Sequence, residues 1–471
     1  DPIADAEDGP TVDVTGSVTA FAAPADALDG VVTPVDEPGR LTLSAPSGPP
    51  STADEKPSRG PTEQSGDGLG KPVMTRAVEE YAPGSVSGQS FVAGGSRATG
   101  LAAVPCTAPT ADAWIVAGGG DQGRQEHLVL TNPGANPVTV EVDALGAKGE
   151  EGTRREVVPA HGRSVVLLDA LGGTDGPQAV HVTSSGGLVV PTVVDHHVDG
   201  LTPAGVDTVA PTATPRTRHV IPASAAGEER SMVLGVPGGG DAVVEIRRVG
   251  ADGSSSTEVT TVPGGEVTGV ELPETEGVHS WVVESDVPVV AATQMRTSGA
   301  KKTSDMAWSI ATPAIGTLGA AVIPERLPGD VSRDVEVVAD AGPAEVDVLV
   351  RRGEETSTEQ VSLEEGHSAA VPLGAADAVW VRPTSGSVHA AVLVRGRGED
   401  GVPLAASGRS TLSWVSRVKV VVTTKNSSRM KTTSINEARL ISTFSRGLRR
   451  NFTPCPRPGR HRDHPAPSPP A

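Results

Sequence analysis

Short runs of alternating apolar and polar residues dominate the chain from Cys106 onward. In residues 138–142, and again in residues 346–350, valine occupies every second position. A period of two places alternate side chains on opposite faces of a strand. Glycine, proline and asparagine clusters such as Asn132-Pro133-Gly134 separate these runs. The pattern therefore predicts many short β-strands joined by tight turns.

The strand pattern recurs at a spacing of about 100 residues. Each recurrence opens with a short apolar strand, at residues 114–116, 220–222 and 322–324, and closes with two more strands. Seven or so strands in such a length are typical of an immunoglobulin-like sandwich, although the Cys…Trp…Cys hallmark is absent. We predict an all-β fold with three tandem immunoglobulin-like β-sandwich repeats, at residues 101–212, 213–314 and 315–410.

Both ends of the chain differ from this pattern. Residues 1–100 are rich in Pro, Gly, Ser, Asp and Ala, which predicts a disordered linker or stalk, with a short strand near 18–21 or 90–92 that docks onto the folded part. Residues 411–471 contain twelve Lys or Arg against Glu437 and Asp463. We predict a basic, disordered tail there, and a reading-frame change explains its composition better than a genuine basic appendage.

Composition supports strands over helices. Only 2% of residues are aromatic, so a core has to be built from Val, Ala and Leu, and 56 Gly with 41 Pro interrupt the chain too often for long helices. The two cysteines, Cys106 and Cys455, allow at most one disulfide and leave the redox compartment open.

Charge and hydropathy exclude two classes of partner. The formal net charge of −19 argues against nucleic acid, which requires a basic surface. No apolar run reaches the length of about 18 residues that an integral membrane span needs. The chain begins at Asp1, which either a removed export signal or an arbitrary boundary explains.

Two short motifs resemble ligand sites. Residues 118–123 (Gly-Gly-Gly-Asp-Gln-Gly) match a dinucleotide fingerprint, but a strand rather than a helix is predicted to follow, so a hairpin loop is favoured. Asp195, His196, His197 and Asp199 offer four metal ligands in five residues. Adjacent histidines in a strand point to opposite faces, so a solvated strand end is favoured over a metal site.

Other candidates favour packing over chemistry. No Gly-x-Ser-x-Gly elbow is present, and the lone Asp252-Gly253 turn lacks the carboxylates of a calcium loop. We predict that Trp281 and Trp380 are core residues, because both lie in apolar strands. The remaining aromatic and histidine candidates are Trp114, Trp308, His181, His279 and His389, and the recurrence of the three histidines in closing strands indicates packing or interface roles. We therefore predict no catalytic, cofactor-binding or metal-binding residues and no cofactor.

The chain resembles a known family in residues 100 to 410. The resemblance is carried by Cys106, Ala111-Asp112-Ala113-Trp114, the glycine-rich loop, Leu128-Val129-Leu130-Thr131-Asn132-Pro133-Gly134, Val158-Pro159 and Ala204-Gly205-Val206-Asp207. These residues are similar to those of secreted proteins of high-GC Gram-positive bacteria that are catalogued only as a domain of unknown function. The resemblance implies export and an extracellular or cell-envelope setting, and it supplies no catalytic residues.

Three functional hypotheses follow. The first is a secreted or envelope-associated, non-enzymatic structural or interaction protein with an unknown envelope protein or glycan as partner. The second is an extracellular array of glycan- or protein-binding modules, which an exposed aromatic pair on a common face would support. The third, with the least support, is a metal-dependent hydrolase centred on Asp195, His196, His197 and Asp207, which requires those side chains to converge.

Overall fold

The computed structural model describes residues 98–397, except for short gaps at 172–175, 226–228, 274–276, 299–303, 324–329, 340 and 354, together with residue 84 and strands between residues 19 and 94 and between 403 and 412. Strands form nearly all of the regular structure in these residues, and the exception is a single 3-10 helix at Leu168–Leu171. The predicted all-β class is confirmed. No helix within the described residues has the length and hydropathy needed to cross a membrane.

Seven strands precede Cys106: β1 (Thr19–Ala23), β2 (Arg40–Ser44), β3 (Ser51–Thr52), β4 (Thr62–Ser65), β5 (Val73–Ala77), β6 (Val86–Gly94) and β7 (Thr99–Pro105). They form two antiparallel sheets with the orders β1-β5-β4 and β3-β2-β6-β7. Strand β7 is therefore an edge strand of the second sheet.

The next eight strands, which we call module 1, form two four-stranded antiparallel sheets with the orders β11-β10-β13-β8 and β12-β9-β14-β15. Their bounds are β8 (Asp112–Ala117), β9 (Arg124–Asn132), β10 (Val138–Gly146), β11 (Gly149–Val158), β12 (Gly162–Leu167), β13 (Gln178–Ser185), β14 (Val190–Asp199) and β15 (Thr202–Val209).

Module 2 comprises β16 (Arg216–Ala225), β17 (Glu229–Gly235), β18 (Ala242–Gly250), β19 (Gly253–Val262), β20 (Val267–Glu271), β21 (Val278–Ser298) and β22 (Ser304–Ile310). The long strand β21 belongs to both sheets. Its first half pairs with β18 and β16, and its second half pairs with β17 and β22. The two resulting orders are β19-β18-β21-β16 and β20-β17-β21-β22, which match those of module 1.

Module 3 repeats the same orders as β26-β25-β28-β23 and β27-β24-β29-β30. Its strands are β23 (Gly319–Val322), β24 (Asp330–Ala339), β25 (Ala344–Arg352), β26 (Glu355–Leu363), β27 (Ser368–Pro372), β28 (Ala378–Ser385), β29 (Val388–Arg397) and β30 (Pro403–Arg409). A two-residue strand, β31 (Thr411–Leu412), pairs with β23. The rest of the predicted basic tail lies outside the described residues.

Apolar and polar residues alternate along the strands, and this alternation gives each sheet one face that packs in the core. In β10, Val138, Val140 and Val142 are buried, while the intervening polar residues are half-buried. In the same way Val346, Val348 and Val350 of β25 are buried, with exposures of 3% or less. Both sheets of a module turn such faces toward each other. Trp281 and Trp380, at 1% and 0% exposure, are core residues as predicted.

Four edge strands meet at the centre of the fold. Strands β7, β15, β22 and β30 are each the last strand of a four-stranded sheet, and they contact one another in the cyclic order β7–β15–β22–β30–β7. Paired contacts show that β15 and β22 run in the same direction: Ser304 Oγ donates to Ala204 O (3.0 Å), and Trp308 N donates to an Asp207 carboxylate oxygen (2.7 Å). The N-terminal strands thus supply one of four equivalent central strands.

Glycine permits the close approach of these central strands. Gly100 in β7 has a φ of +136°, and a Cβ built there would lie 2.0 Å from an Asp305 carboxylate oxygen. Gly205 in β15 has a φ of +127°, and its Cβ would lie 2.7 Å from Met306 N. Both positions combine a backbone conformation that L side chains avoid with a contact too short for any side chain.

The apolar core runs continuously from one module to the next. One buried cluster joins Ile115 and Val180 of module 1 to Val233, Val267 and Val290 of module 2. Another joins Leu101 of β7 to the core of module 3. All these strands belong to one compact unit, Asp13–Val418. The modules therefore pack on one another through core-like surfaces, unlike domains joined only by linkers.

Strands lie within residues 1–100, where the sequence predicts a linker or stalk. The structure describes β1–β6 there, and the predicted boundary at residue 100 falls inside β7. The two positions at which a short strand was expected, near residues 18–21 and 90–92, fall in β1 and β6. Gly100 and Ala102 of β7 are buried.

Replacement of Gly100 by alanine tests whether β7 is part of the core. We expect Gly100→Ala to lower the free energy of unfolding by about 3 kcal/mol or more, because the added methyl group meets Asp305 in a strained backbone conformation. Gly238→Ala is the control, since nothing lies within 4 Å of its Cβ position and its φ is unstrained. Chemical denaturation measures both, and equal stability of the two variants would mean that β7 does not pack as described.

Candidate functional site

A buried polar network lies where module 1 meets module 2, and it includes Asp195 of the candidate hydrolase site. Arg124 of β9 forms an ion pair with Asp195 of β14, in which Nε donates to Oδ1 at 2.9 Å and Nη2 donates to Oδ2. Trp308 of β22 donates its indole N–H to Asp195 Oδ2 (2.8 Å), and the Arg124 guanidinium lies 5.8 Å from the centre of the Trp308 ring. All three side chains are buried. A side chain of module 2 therefore donates a hydrogen bond to a buried ion pair of module 1.

The glycine-rich loop binds a carboxylate of its own chain. Gly118 N and Gly119 N donate to the two carboxylate oxygens of Glu126 (2.7 and 2.9 Å), and Gln178 Nε2 donates to one of them (2.6 Å). Strand β9 begins at Arg124, immediately after the loop, so the helix that a dinucleotide fingerprint requires is replaced by a strand. Residues 118–123 connect β8 of one sheet to β9 of the other, so they form a loop between the two sheets and not the predicted hairpin. The N–H groups of Gly118 and Gly119, which a phosphate would use, are occupied.

Two further buried carboxylates connect the central strands. Asp207 of β15 accepts N–H bonds from Thr208 (2.7 Å) and from Trp308 of module 2 (2.7 Å). Asp305 of β22 accepts N–H bonds from Met306 (2.8 Å) and from Leu101 of β7 (3.0 Å). Each carboxylate thus satisfies backbone donors on its own strand and on another central strand. Such bonds avoid the cost of an unpaired buried N–H.

The proposed metal ligands separate in the structure. Asp195 and Asp207 are paired positions of neighbouring strands, but both carboxylates are buried and bound as described above. His197 lies on the same side of β14 as Asp195 and contacts Arg296 of module 2 (2.5 Å), whereas His196 faces the other side. Within the part of the chain that the structure describes, no group of three or more His, Cys, Asp or Glu side chains is arranged to hold a metal ion.

A second Arg–Asp–Trp cluster joins module 3 to the N-terminal strands. Arg351 Nε donates to Asp377 Oδ1 (3.1 Å), and its guanidinium lies 5.7 Å from the centre of the Trp380 ring. Trp380 donates its indole N–H to Gly84 O (2.7 Å). As in the first cluster, the tryptophan that contacts the arginine also donates a hydrogen bond to a different part of the fold, here to the turn that precedes β6.

The remaining candidates also make internal contacts. His389 is buried, and its Nδ1 lies 2.8 Å from Thr312 O at the boundary of modules 2 and 3, which agrees with an interface role. His181 stacks on Trp114. Cys106 is buried and forms no disulfide within the described residues, and burial raises the pKa of its thiol to about 12. The other cysteine, Cys455, lies outside the described residues.

Burial shifts the acid–base behaviour of the first network. Burial and the negative charge of Asp195 raise the pKa of Glu126 to about 7, although Arg124 and Gln178 oppose the shift. Burial also raises the pKa of Asp207 well above its usual range. The pKa of His197 is lowered, first by burial and then by the charge of Arg296. These shifts favour the neutral forms of Glu126, Asp207 and His197.

Sequence reasoning missed Arg124, Glu126, Asp305, Arg351 and Asp377, although strand alternation could have found some of them. Arg124 and Glu126 precede Leu128 and Leu130 at intervals of two, which places all four on the core face of β9. A charged residue at a core-facing position signals a buried polar contact. The sequence around the partner residue on another module contains no comparable local pattern, so the pairing itself could not be predicted.

The chain belongs to DUF5719, a family of unknown function whose model matches residues 62–374. The match begins in β4, so the family includes part of the segment that the sequence predicts to be a stalk. A solved structure of a tetra-tandem repeat in the extending region of a large adhesion protein is 12% identical, with 86% of this chain and 97% of that chain covered, at a TM-score of 0.11. A search of curated proteins gives no match.

The shifted pKa of Glu126 makes a specific prediction for stability. Between pH 4.5 and about 7 the folded state holds a proton on Glu126 that the unfolded state has lost, so stability falls as the pH rises through this window. We expect the difference in unfolding free energy between wild type and Glu126→Gln to change by about 1 kcal/mol per pH unit there.

Urea denaturation at pH 5, 6, 7 and 8 measures this difference. A comparison of variants is necessary because His219, whose burial lowers its pKa to about 4, has the opposite pH dependence in both proteins. Parallel stability curves for wild type and Glu126→Gln would show that Glu126 ionises normally in the folded state.

Proposed function

We propose that this protein is a non-enzymatic structural or interaction protein of the bacterial cell envelope. The observation that carries the proposal is the use of its buried polar side chains. Asp195, Asp207 and Asp305 each accept a hydrogen bond from a different module or from the N-terminal strands. A catalyst would need such groups to be free to bind a substrate. In this protein they instead hold the modules and the N-terminal strands together.

The three modules act in this proposal as immunoglobulin-like sandwich repeats of one unit. The matching strand orders of their sheets support a repeat, and the buried clusters that span modules 1 and 2 and modules 2 and 3 favour one fixed arrangement over a flexible string. A rigid scaffold presents its outer faces and loops in fixed relative positions, which suits recognition of an extended partner. The scaffold and the partner-binding hypotheses are therefore compatible.

Export and envelope location remain part of the proposal. They are supported by the resemblance to secreted proteins of high-GC Gram-positive bacteria. The acidic composition, with a net charge of −19, separately disfavours nucleic acid as a partner. Immunodetection of the protein in envelope and cytoplasmic fractions of its host tests the location directly.

Turnover assays test the non-enzymatic role. The purified full chain is incubated with chromogenic ester, phosphate-ester and glycoside substrates, with and without added Zn²⁺ or Mg²⁺. We expect rates equal to those of buffer alone, because the carboxylates of the candidate hydrolase site are already bound. His196→Asn and the control His367→Asn identify any activity that depends on the candidate site. Metal-dependent turnover that is lost only in His196→Asn would contradict the proposal.

A further inference from the structure

A small cavity lies between the central strands. Residues of β7, β15 and β22 line it, among them Ala103, Thr208 and Trp308, together with Thr312 and Ala391. Its volume is about 10 Å³, measured as the space open to the centre of a water-sized sphere. A cavity needs roughly this volume to hold one water molecule. Its size therefore limits the occupant to a single water-sized molecule.

One buried hydroxyl in the lining of this cavity needs a hydrogen-bond partner. Thr208 of β15 is 5% exposed, and no donor or acceptor of the described residues lies within hydrogen-bonding distance of its Oγ1. The backbone N–H of the same residue is occupied, since it donates to Asp207 Oδ1 at 2.7 Å. Removing a hydroxyl from water is costly unless another group replaces the hydrogen bonds that water made. The Thr208 hydroxyl therefore favours a polar occupant of the cavity.

A second hydroxyl in the lining has a proton to donate. Thr312 follows β22, and its backbone N–H donates to Val220 O (3.0 Å). His389 Nδ1 of β29 lies 2.8 Å from Thr312 O and 3.2 Å from Thr312 Oγ1. A carbonyl oxygen can only accept, so Nδ1 carries the proton of the shorter bond and cannot accept one from the Thr312 hydroxyl. The Thr312 O–H is consequently available to a third group.

The other residues of the described lining offer no further side-chain donor. Trp308 donates its indole N–H to Asp195 and its backbone N–H to Asp207. The rest are apolar: Ala103, Pro105, Val209, Ala210, Ile310 and Ala391. A purely apolar cavity stays dry, whereas a buried water typically has at least two polar partners. The two threonine hydroxyls provide that minimum.

We propose that one water molecule occupies this cavity and bridges the hydroxyls of Thr208 and Thr312. The Thr312 hydroxyl donates to the water oxygen, and the water donates to Thr208 Oγ1. A hydrogen-bonded chain then runs from β15 of module 1 through Thr312 to His389 of module 3. Strands β15 and β30 are not consecutive in the cyclic order of central strands, so this chain joins modules that lie across the centre from each other. The alternative is a dry cavity with an unpartnered Thr208 hydroxyl.

Counting internal waters in matched variants tests the site. Oxygen-17 magnetic relaxation dispersion of the full chain in solution detects water molecules that are held inside a protein. We expect Thr208→Val and Thr312→Val each to hold one water fewer than wild type, because each variant loses one of the two bridging hydroxyls. Thr208→Ser keeps a hydroxyl and should keep the water. Thr293→Val is the control, since that buried hydroxyl donates directly to Ser224 Oγ (3.2 Å), and its loss should leave the number of waters unchanged.

Urea denaturation of the same variants gives a second result. If the water is bound, Thr208→Val should raise the equilibrium constant for unfolding about fivefold, which is the effect of losing one typical hydrogen bond. Higher stability of Thr208→Val than of wild type would overturn the proposal, because removing an unpartnered hydroxyl from a dry cavity is favourable. An unchanged number of waters in Thr208→Val would overturn it as well. These two results decide the question even if Thr312→Val fails to fold.

Discussion

The fold depends on the close packing of four central strands, β7, β15, β22 and β30, whose buried polar groups all need partners. Edge strands carry unpaired backbone groups, and removing them from water is costly unless something else binds them. Asp207 and Asp305 meet this need by accepting N–H bonds from two strands each. Gly100 and Gly205 provide the necessary space. Because each central strand is the edge of a different sheet, these contacts protect the edges of β7, β15 and β22 and join the N-terminal strands to modules 1 and 2. Strand β30 of module 3 packs against β22 and β7.

Two Arg–Asp–Trp clusters form further buried polar contacts between neighbouring parts of the fold. Trp308 reaches from module 2 into the Arg124–Asp195 pair, and Trp380 of the Arg351–Asp377 cluster reaches to Gly84 in the N-terminal strands. Loss of one partner from such a buried pair typically costs about 3–5 kcal/mol, because the other charge is left uncompensated. The clusters consequently favour one relative placement of the modules.

The sequence predicts the local structure of this protein better than its long-range organisation. Period-two valines correctly indicated an all-β fold, and apolar neighbours correctly placed Trp281 and Trp380 in the core. The packing of β7 against β15 and β30 was not predicted, because no local pattern connects strands so far apart in the chain. The polar network was missed for the same reason. Asp195 was noticed only as a possible metal ligand, since its partners Arg124 and Trp308 are 71 and 113 positions away and no local pattern connects them.

Hydrogen–deuterium exchange of the native full chain, followed by mass spectrometry, is the most direct test of a common centre. If the four central strands form one cooperative unit, peptides that cover them should share the slowest exchange and should lose protection together as denaturant is added. These peptides are Thr99–Pro105, Thr202–Val209, Ser304–Ile310 and Pro403–Arg409. Rapid exchange of the Thr99–Pro105 peptide, or separate loss of protection module by module, would contradict the account and would restore three independent sandwiches on a loose N-terminal stalk.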